Sequence, residues 1–222
     1  MIISNYNTTF RRIEEADLET VRFWRNSKDI NQFMEYREYI TPEMQKIWFS
    51  KINNLYNHYF LIEYNGETVG LVNCKNIEID KRTLEVGVFL FKENYRRNII
   101  FPVSSLVVCE TFVDFYNIEI IETHVLKTNK EFSRMLMKLG YRLYDNQEDI
   151  SNQKYFIKNP DLENTFHFLR DNLSKASPCK QKTTIIFNKN EPPDIIDFFI
   201  KAYNKMPDCM KARYAISRIS PL

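Results

Sequence analysis

The stretch EVGVFLFKENYRRNIIFP occupies residues 85–102 and joins two patterns of secondary structure. Residues 85–91 are rich in β-branched and aromatic side chains, which is typical of a strand, and the apolar run after Pro102 has helical spacing. Proteins commonly bind a phosphorylated ligand where a strand passes through a basic turn into a helix, because free backbone N–H groups and the positive end of the helix dipole point at the anion. The stretch therefore predicts a phosphate-binding loop.

The predicted loop is unusual because residues 91–102 contain no glycine, the residue that normally lets such a backbone turn sharply and approach the phosphates. Ile99 is β-branched and tolerates a positive φ badly, whereas Asn98 adopts the left-handed conformation more readily. Pro102 suits the first position of a helix but has no N–H to donate. We therefore expect Asn98 to absorb the turn.

Two arginines in the loop favour phosphate binding, because a guanidinium group pairs with phosphate through two hydrogen bonds. They are Arg96 and Arg97. In the alternative interpretation they form a solvated basic turn, while Ile99, Ile100 and Phe101 simply close the core.

The composition favours one domain with an appendage, or one domain and a small second one. The 222 residues are 44% hydrophobic, which is enough to bury a sizeable core. A net charge of +2 indicates no broad field for nucleic acid, so we expect no nucleic-acid partner. The cysteines lack the spacing of a zinc or redox motif, and we expect no metal. They are Cys74, Cys109, Cys179 and Cys209.

The N-terminal segment does not resemble a signal peptide, since residues 1–10 are largely polar and Arg11 and Arg12 follow them. No apolar stretch approaches the roughly 20 residues that span a bilayer. We therefore expect a soluble, cytoplasmic protein without a membrane partner. We also expect a monomer or homodimer.

Hydrophobic periodicity and turn residues predict the order β, α, α, β, β, β, α, β, α, β, β up to Asn159. Asn65-Gly66 is a hairpin signal, Thr41-Pro42 begins a helix and Gly140 ends one. The order indicates an α/β (α+β) fold, with a mixed, mostly antiparallel sheet and helices on both faces. Strands are predicted at 8–13, 58–64, 68–73, 83–91, 118–125, 141–144 and 154–157, and helices at 17–25, 41–52, 103–116 and 129–139.

Residues 160–222 follow a different pattern, which predicts a mostly helical C-terminal extension of a domain formed by residues 1–159. Its apolar faces indicate that the extension packs against the rest of the chain. The predicted elements are a helix at 162–173, a polar linker at 175–182, a strand at 183–187 and helices at 193–203 and 208–216. The sequence leaves the role of this extension open.

A further motif, NKEFSRMLMKLGY, occupies residues 129–141 and places an asparagine between the fifth predicted strand and a helix that ends in glycine. This motif, residues 85–101 and the order of elements resemble the GNAT acetyltransferases over roughly residues 8–159. The likeness is to the branch that includes ribosomal-protein N-terminal acetyltransferases and bacterial amino-sugar N-acetyltransferases. The stretches 23–27 and 40–49 are similar to the amino-sugar members, including those of the pseudaminic-acid pathway.

This resemblance implies direct transfer of an acetyl group from acetyl-CoA to a primary amine, with acetyl-CoA in the splay between the strands of Phe89 and Val125. It implies that the backbones of Phe89, Leu90 and Phe91 pair with the pantetheine arm and that Asn129 hydrogen-bonds this arm. The coenzyme's pyrophosphate would bind to the guanidinium groups of Arg96 and Arg97 and to backbone N–H groups of the loop. These N–H groups belong to Arg97, Asn98, Ile99, Ile100 and Phe101.

Two departures from the family pattern leave a second kind of function open. Ile99 and Phe101 stand where the family has loop glycines. Leu136 stands where a tyrosine often protonates the leaving thiolate, although this branch frequently has leucine there too. The alternative is a GNAT-fold module that has lost catalysis and binds a partner through residues 160–222.

An amine acceptor needs a base, because a pKa of about 10 leaves little free amine at neutral pH. Glu85 is one candidate, on the strand that would hold the thioester, and His124 is the other. His124 and Glu122 alternate with apolar residues and therefore share one face of their strand. In the alternative interpretations Glu85 is a charge at the wet end of its strand and His124 is a structural hydrogen-bonding residue.

The first two helices and the loop between them line the acceptor site in such folds. Basic and aromatic residues there suit a nucleotide-linked amino sugar, through phosphate pairing and base stacking, and this small-molecule amine is the preferred acceptor. A protein N-terminal amine is the alternative acceptor. The candidate residues are Arg25, Asn26, Glu35, Tyr36, Arg37 and Tyr39. The alternative to a binding role is that Arg37 is a surface charge.

Overall fold

The computed structural model describes residues 1–95, 98–176 and 182–218. Within these ranges ten strands form a single sheet. The strands are β1 (Ile2–Asn5), β2 (Thr8–Arg12), β3 (His58–Tyr64), β4 (Glu67–Glu78), β5 (Thr83–Leu90), β6 (Ile120–Leu126), β7 (Arg142–Leu143), β8 (Asn152–Lys158), β9 (Thr183–Phe187) and β10 (Tyr214–Arg218). Their order across the sheet is β10-β9-β1-β2-β3-β4-β5-β6-β8-β7. Only β5–β6 and β9–β10 are parallel neighbours, so the prediction of a mixed, mostly antiparallel sheet is confirmed.

Helices pack on both faces of this sheet, as predicted. They are α1 (Leu18–Asn26), α2 (Lys28–Asn31), α3 (Pro42–Ile52), α4 (Ile100–Ser104), α5 (Glu110–Tyr116), α6 (Lys130–Lys138), α7 (Asp161–Ala176), α8 (Pro193–Lys205) and α9 (Asp208–Lys211). A π-helical turn, Ser105–Cys109, joins α4 to α5. The helical segment therefore begins at Ile100, earlier than predicted, and Pro102 is its third residue rather than its first. Proline is tolerated there because the first turn of a helix needs no intrahelical N–H bond.

The main hydrophobic core lies between the sheet and the helices α4, α5, α7 and α8. Phe60 of β3, Phe112 of α5 and Phe199 of α8 are completely buried in it. On the opposite face α1 and α3 cover the strands β3 and β4, where Val21, Leu61 and Leu71 form a smaller core. On β5 this cover reaches Phe89 and the following Phe91. The rest of this sheet face on β5 and β6 carries the polar side chains of Glu85, Glu122 and His124.

The structure corrects two expectations. The sequence did not predict β1, which a two-residue turn joins to β2; its residues Tyr6 and Asn7 have φ values of 49° and 57°, the backbone of a tight hairpin. The predicted helix at 208–216 is wrong after Lys211, because Tyr214–Arg218 pairs with β9 as the parallel strand β10. β10 and one side of β1 gain their hydrogen bonds from β9, which is distant in sequence and which local patterns do not reveal.

The C-terminal extension continues the same sheet, since β9 pairs antiparallel with β1. Its helices α7 and α8 also contribute to the main core through Leu162, Phe166 and Phe199. The extension is therefore packed against the rest of the chain, as the apolar faces of its helices indicated. The division of the chain at residue 159 stays a prediction.

Gly70 of β4 has no room for a side chain. A Cβ there would lie 2.5 Å from the carbonyl oxygen of Phe89 and 2.6 Å from Cδ2 of Leu90. The first contact is with the backbone of the neighbouring strand, so β4 and β5 would have to separate. We expect Gly70→Ala to lower the free energy of unfolding by about 1–3 kcal/mol in urea denaturation. Thr68→Ala on the same strand should change it by no more than about 0.5 kcal/mol, and equal stability of the two variants would contradict the steric argument.

Candidate active site

The strands β5 and β6 separate in the middle of the sheet. They pair over Thr83–Glu85 and Ile120–Glu122 only. Both strands lie wholly within the described residues, and neither pairs with the other beyond this ladder, although β5 runs to Leu90 and β6 to Leu126. An opening between two strands is lined by backbone polar groups and can accept an extended ligand as an additional strand. It lies where the resemblance implies the splay for acetyl-CoA.

The end of β5 gives different orientations to the three residues expected along the pantetheine arm. The N–H of Phe91 donates to the carbonyl of Val69 at 3.2 Å. The carbonyl of Phe89 also points at β4, where it lies against Gly70. Because successive residues of a strand turn their backbone groups to opposite sides, Leu90 is the member of the three that faces β6. The ring of Phe91 stacks on Trp24 of α1 with centroids 3.7 Å apart, which fixes this end of the strand.

The predicted phosphate loop is described from Asn98 onward, and Arg96 and Arg97 lie outside the described residues. Ile99 has a φ of −69°, so its β-branched side chain causes no backbone strain. Oδ1 of Asn98 accepts a hydrogen bond from the N–H of Ile100 at 2.8 Å. The Ile100 N–H is therefore occupied by a side chain, and it can reach a phosphate only if Asn98 turns away.

Bulky residues replace the loop glycines with packing contacts. Ile100 is completely buried, whereas Ile99 is 37% exposed and does not close the core. The ring of Phe101 meets Phe132 of α6 edge-on, with centroids 5.5 Å apart. This contact joins the start of α4 to the start of α6, the two helices that flank the opening between β5 and β6.

Asn129 is the N-cap of α6, and its Oδ1 accepts a hydrogen bond from the N–H of Phe132 at 3.3 Å. The Oδ1 atom is therefore committed to the helix, and only the amide N–H₂ remains as a donor for the carbonyl groups of a pantetheine arm. Leu136 is 3% exposed and packs with Val125 and Tyr155, so it has a core role.

The two predicted bases lie together on the open sheet face. Nδ1 of His124 is 3.1 Å from Oε1 of Glu85. The same carboxylate oxygen is 2.9 Å from Nζ of Lys75, and Oε2 accepts a hydrogen bond from Asn76 at 2.9 Å. Glu85 and His124 come from the neighbouring strands β5 and β6, at the point where these strands separate. The sequence placed both residues on strands but could not show that they touch.

The environment of Glu85 keeps it ionised. Burial by itself would raise its pKa, but the hydrogen bond with His124 and the positive charge of Lys75 outweigh burial and lower the pKa to about 2. A carboxylate with so low a pKa is a weak base near neutral pH. It is well suited to hold Nδ1 of an imidazole, which leaves Nε2 of His124 to accept a proton.

A second polar cluster borders this pair and was not predicted. Glu122 of β6 accepts a hydrogen bond from the hydroxyl of Tyr144 at 2.6 Å and lies 2.6 Å from Nζ of Lys154. Glu122 is also the register partner of Glu85 across the β5–β6 ladder. Its position on the face of His124 was the sequence signal that could have indicated this cluster.

Arg25 of α1 is half-buried and has no counter-ion among the described residues. Its Nε has no hydrogen-bond partner, and no carboxylate of the described residues pairs with its guanidinium group. Burial lowers its pKa, and the nearby hydroxyl of Tyr59 opposes this effect. A guanidinium group keeps its charge at neutral pH, so the site holds an uncompensated positive charge.

Tyr59 of β3 links Arg25 to the Glu85–His124 pair and was missed by the sequence analysis. Burial and the negative charge of Glu85 raise the pKa of Tyr59 to about 12, and the charge of Arg25 opposes them. Its ring packs edge-on against Trp48 of α3, with centroids 5.0 Å apart. Tyr59 stays protonated and can act as a hydroxyl donor or acceptor between the two charged regions.

The other predicted acceptor residues have structural roles or lie at the surface. Both polar atoms of the Asn26 amide bond the backbone of Ile40, each at 2.9 Å, and thereby anchor the loop between α2 and α3. Arg37 donates to the carbonyls of Met34 and Gln32 within that loop. Glu35, Tyr36 and Tyr39 are exposed, and Tyr39 bonds Arg22.

No group of histidine, cysteine, aspartate and glutamate side chains in the described ranges is arranged to hold a metal ion. Across these same ranges, the helices lack the combination of length and apolar character that crossing a membrane requires.

Comparison with known proteins places this geometry in a family. A family model described as "Acetyltransferase (GNAT) domain" matches residues 7–142. The chain belongs to the GNAT acetyltransferases. Members of this family use acetyl-CoA, and the protein is accordingly an acetyl-CoA-dependent N-acetyltransferase. The opening between β5 and β6 and the Glu85–His124 pair thus lie in the GNAT domain of an enzyme, and the alternative of a module without catalysis is set aside.

The GNAT relatives include both kinds of enzyme that the sequence resembles. Acetyltransferase PseH of Campylobacter jejuni is 24% identical over 144 residues, which are 63% of this chain and 86% of PseH. Apo FdhC, a nucleotide-linked sugar GNAT, superposes with a TM-score of 0.63 at 21% identity, over 77% of this chain and 97% of FdhC. RimL, a ribosomal L7/L12 alpha-N-protein acetyltransferase in complex with coenzyme A, gives a TM-score of 0.58 at 16% identity. The match covers 71% of this chain and 98% of RimL. At these identities the structural likenesses establish the fold alone.

Proposed function

We propose that this enzyme transfers the acetyl group of acetyl-CoA to the amino group of a nucleotide-linked amino sugar. The proposal rests on Arg25, a half-buried residue without a counter-ion that acts electrostatically on Tyr59, as does Glu85 of the Glu85–His124 pair. A nucleotide-linked amino sugar has the matching chemistry, a phosphate anion and an amine in one molecule. The relative FdhC supports the same substrate class, since it is a nucleotide-linked sugar GNAT.

The charge balance of the site favours this acceptor over a protein N-terminus. A partly buried charge without a partner is unfavourable, and an incoming phosphate would compensate Arg25 with charge-assisted hydrogen bonds. An N-terminal amine brings no phosphate to this position. Lys154 of the neighbouring polar cluster is already paired with Glu122, which leaves Arg25 as the better anion-binding group.

In the proposed reaction, acetyl-CoA lies in the opening between β5 and β6, with its pyrophosphate near the start of α4. Glu85 holds Nδ1 of His124, and Nε2 removes a proton from the acceptor ammonium group. The amine then attacks the thioester carbon directly, and coenzyme A leaves as the thiolate. We predict that the enzyme acts in the cytoplasm as a monomer or homodimer, without a nucleic-acid or membrane partner.

Substitution of Arg25 tests the acceptor class. We expect Arg25→Met to raise KM for a UDP- or dTDP-linked amino sugar by about 10- to 100-fold, since a hydrogen bond to a charged group contributes about 1.5–3 kcal/mol. The same variant should raise the Tm of the free protein, because it removes a half-buried charge that has no partner. Steady-state kinetics and thermal denaturation measure the two effects, and Lys28→Gln controls for the loss of one positive charge from an exposed position nearby.

The outcome has clear alternatives. Acetylation of short peptides with free N-termini, and of no nucleotide-linked sugar, would end the sugar proposal. A lower Tm together with an unchanged KM in Arg25→Met would show that Arg25 is a structural residue. The thermal shift given by acetyl-CoA should be equal in wild type and Arg25→Met, because the proposal assigns Arg25 to the acceptor and not to the coenzyme.

A further inference from the structure

Asn73 of β4 is a second polar side chain near the opening whose partner is missing. It lies between its register partners Tyr59 of β3 and Gly87 of β5. Its Oδ1 atom is shielded from solvent and accepts no hydrogen bond. An unsatisfied buried acceptor costs about 1–3 kcal/mol, and folded proteins keep few of them without a functional reason.

The glycine opposite Asn73 explains how its amide reaches β5. A Cβ at Gly87 would lie 3.0 Å from Nδ2 and 3.3 Å from Oδ1 of Asn73, so the amide lies directly over the backbone of Gly87. A glycine inside a strand weakens it and often marks a close approach. The ladder between β5 and β6 ends at Glu85, two residues before Gly87, and the amide therefore lies beside the opening.

The surrounding groups indicate what Oδ1 can accept. Glu85 is on the same face of β5 as Gly87, and Glu85 and Arg25 both act electrostatically on Tyr59, the neighbour of Asn73. Asn73 thus lies within the polar region that contains the base and the unpaired guanidinium group. The Arg25 guanidinium takes an anion, whereas an amide oxygen takes a donor, and the donor that the reaction brings here is the amine.

We propose that Oδ1 of Asn73 accepts a hydrogen bond from the acceptor amine. This hydrogen bond orients the amine so that the lone pair of its nitrogen points at the thioester carbon. This step rests on the proposed acetyl transfer in the opening. The ammonium group loses one proton to His124, and one remaining N–H donates to Asn73. The nitrogen lone pair forms the C–N bond, the C–S bond breaks with its electron pair on sulfur, and the nitrogen loses its second proton as the amide forms. The thiolate ends as the thiol of coenzyme A, with one net proton released.

Two substitutions of equal length separate this role from a structural one. Asn73→Leu keeps the shape and removes the acceptor oxygen, whereas Asn73→Asp keeps an oxygen at the position of Oδ1. We expect Asn73→Leu to lower kcat/KM for the acceptor at least tenfold, with its affinity for acetyl-CoA within about twofold of wild type. Asn73→Asp should recover most of that loss. The Tm of Asn73→Leu should equal or exceed that of wild type, because the unsatisfied atom is gone.

Gly87→Ala provides an independent test in which residue 73 remains an asparagine. The added methyl group would displace the amide, so this variant should reproduce the kinetic defect of Asn73→Leu. The assays use a UDP-linked amino sugar and, as a minimal amine at high concentration, ethanolamine. If wild type acetylates ethanolamine but not the sugar, and the variants are defective toward ethanolamine, the sugar proposal is overturned while the proposed role of Asn73 is supported.

Full activity of Asn73→Leu toward either amine would overturn the role of Asn73, and so would a loss of acetyl-CoA affinity equal to the loss of activity. Absence of wild-type turnover with both amines would overturn the proposed function and the role of Asn73 together.

Discussion

Replacement of His124 by glutamine is expected to lower kcat by about 100-fold or more at neutral pH, since a positioned general base typically contributes about 10²- to 10⁴-fold. Glutamine retains a polar side chain near Glu85 but cannot accept the proton of an ammonium group. The affinity for acetyl-CoA should remain unchanged, because the proposed role of His124 is to take a proton from the acceptor amine and not to bind the coenzyme. Steady-state kinetics with a nucleotide-linked amino sugar at saturating acetyl-CoA measure the effect.

The pH dependence separates the roles of the two residues. The defect of His124→Gln should shrink above pH of about 9, where much of the acceptor amine is already deprotonated in solution. Glu85 has its pKa lowered to about 2, so it stays ionised throughout this range and its own titration adds nothing to the profile. Glu85→Gln should lower kcat less than His124→Gln does, because it removes the group that holds the imidazole but not the base.

The opposite order would overturn this assignment. If Glu85→Gln abolishes activity while His124→Gln retains most of it, the carboxylate takes the proton through water and His124 only holds the carboxylate. A matched control is Lys127→Gln, an exposed lysine that follows the same strand and pairs with Asp149. Its kcat should equal that of wild type.

Much of the fold was predictable because its signals are local. The hairpin of β3 and β4 follows from Asn65-Gly66, where Asn65 has a φ of 51° and Gly66 a φ of 76°. The N-cap of α3 follows from Thr41, whose side chain accepts a hydrogen bond from the N–H of Met44. Turn and cap residues act over a few positions, so one sequence is enough to find them.

The two strands that the sequence did not predict, β1 and β10, each pair with a strand that is distant in sequence. The strand β10 forms because it pairs with β9, which lies about thirty residues earlier in the chain. Tyr214 of β10 also donates a hydrogen bond to Asp114 and packs against Phe115 of α5. No periodicity within residues 208–218 contains that information. The same limit applies only in part to β1, because its partner β9 is distant in sequence whereas its partner β2 follows directly through a two-residue turn.

The candidate site was predictable residue by residue but not as an arrangement. Glu85, His124 and Arg25 were identified from their types and positions, yet the contact of the first two and the missing counter-ion of the third are properties of the fold. The amide of Asn26 fits an acceptor site in type but bonds the backbone of Ile40, and its predicted role in the site stays a prediction. Tyr59 and Asn73 gave no signal, because a polar residue in a strand commonly faces solvent.

The second large effect that we expect is a loss of stability on substitution of Phe199, which lies in α8 of the C-terminal extension. This residue is completely buried, and its ring lies within 6 Å of Phe112, Phe115, Tyr116 and Phe187, centroid to centroid. Removal of a buried phenylalanine side chain costs about 3–5 kcal/mol, because the cavity relaxes only in part. We expect Phe199→Ala to destabilise the protein by this amount in urea denaturation. Phe168→Ala on α7, where the ring is 61% exposed, should change stability by less than about 0.5 kcal/mol.

The same experiment decides whether the extension folds with the rest of the chain. Both tryptophans of the sequence, Trp24 and Trp48, pack on the opposite face of the sheet from Phe199. If the ten-stranded sheet unfolds as one unit, Phe199→Ala shifts the fluorescence and circular dichroism transitions to the same lower urea concentration. A fluorescence transition that stays at the wild-type midpoint while circular dichroism changes would show that residues 160–222 unfold separately. Coincident transitions are expected, because β9 connects the extension to β1 and α8 shares its core with α5.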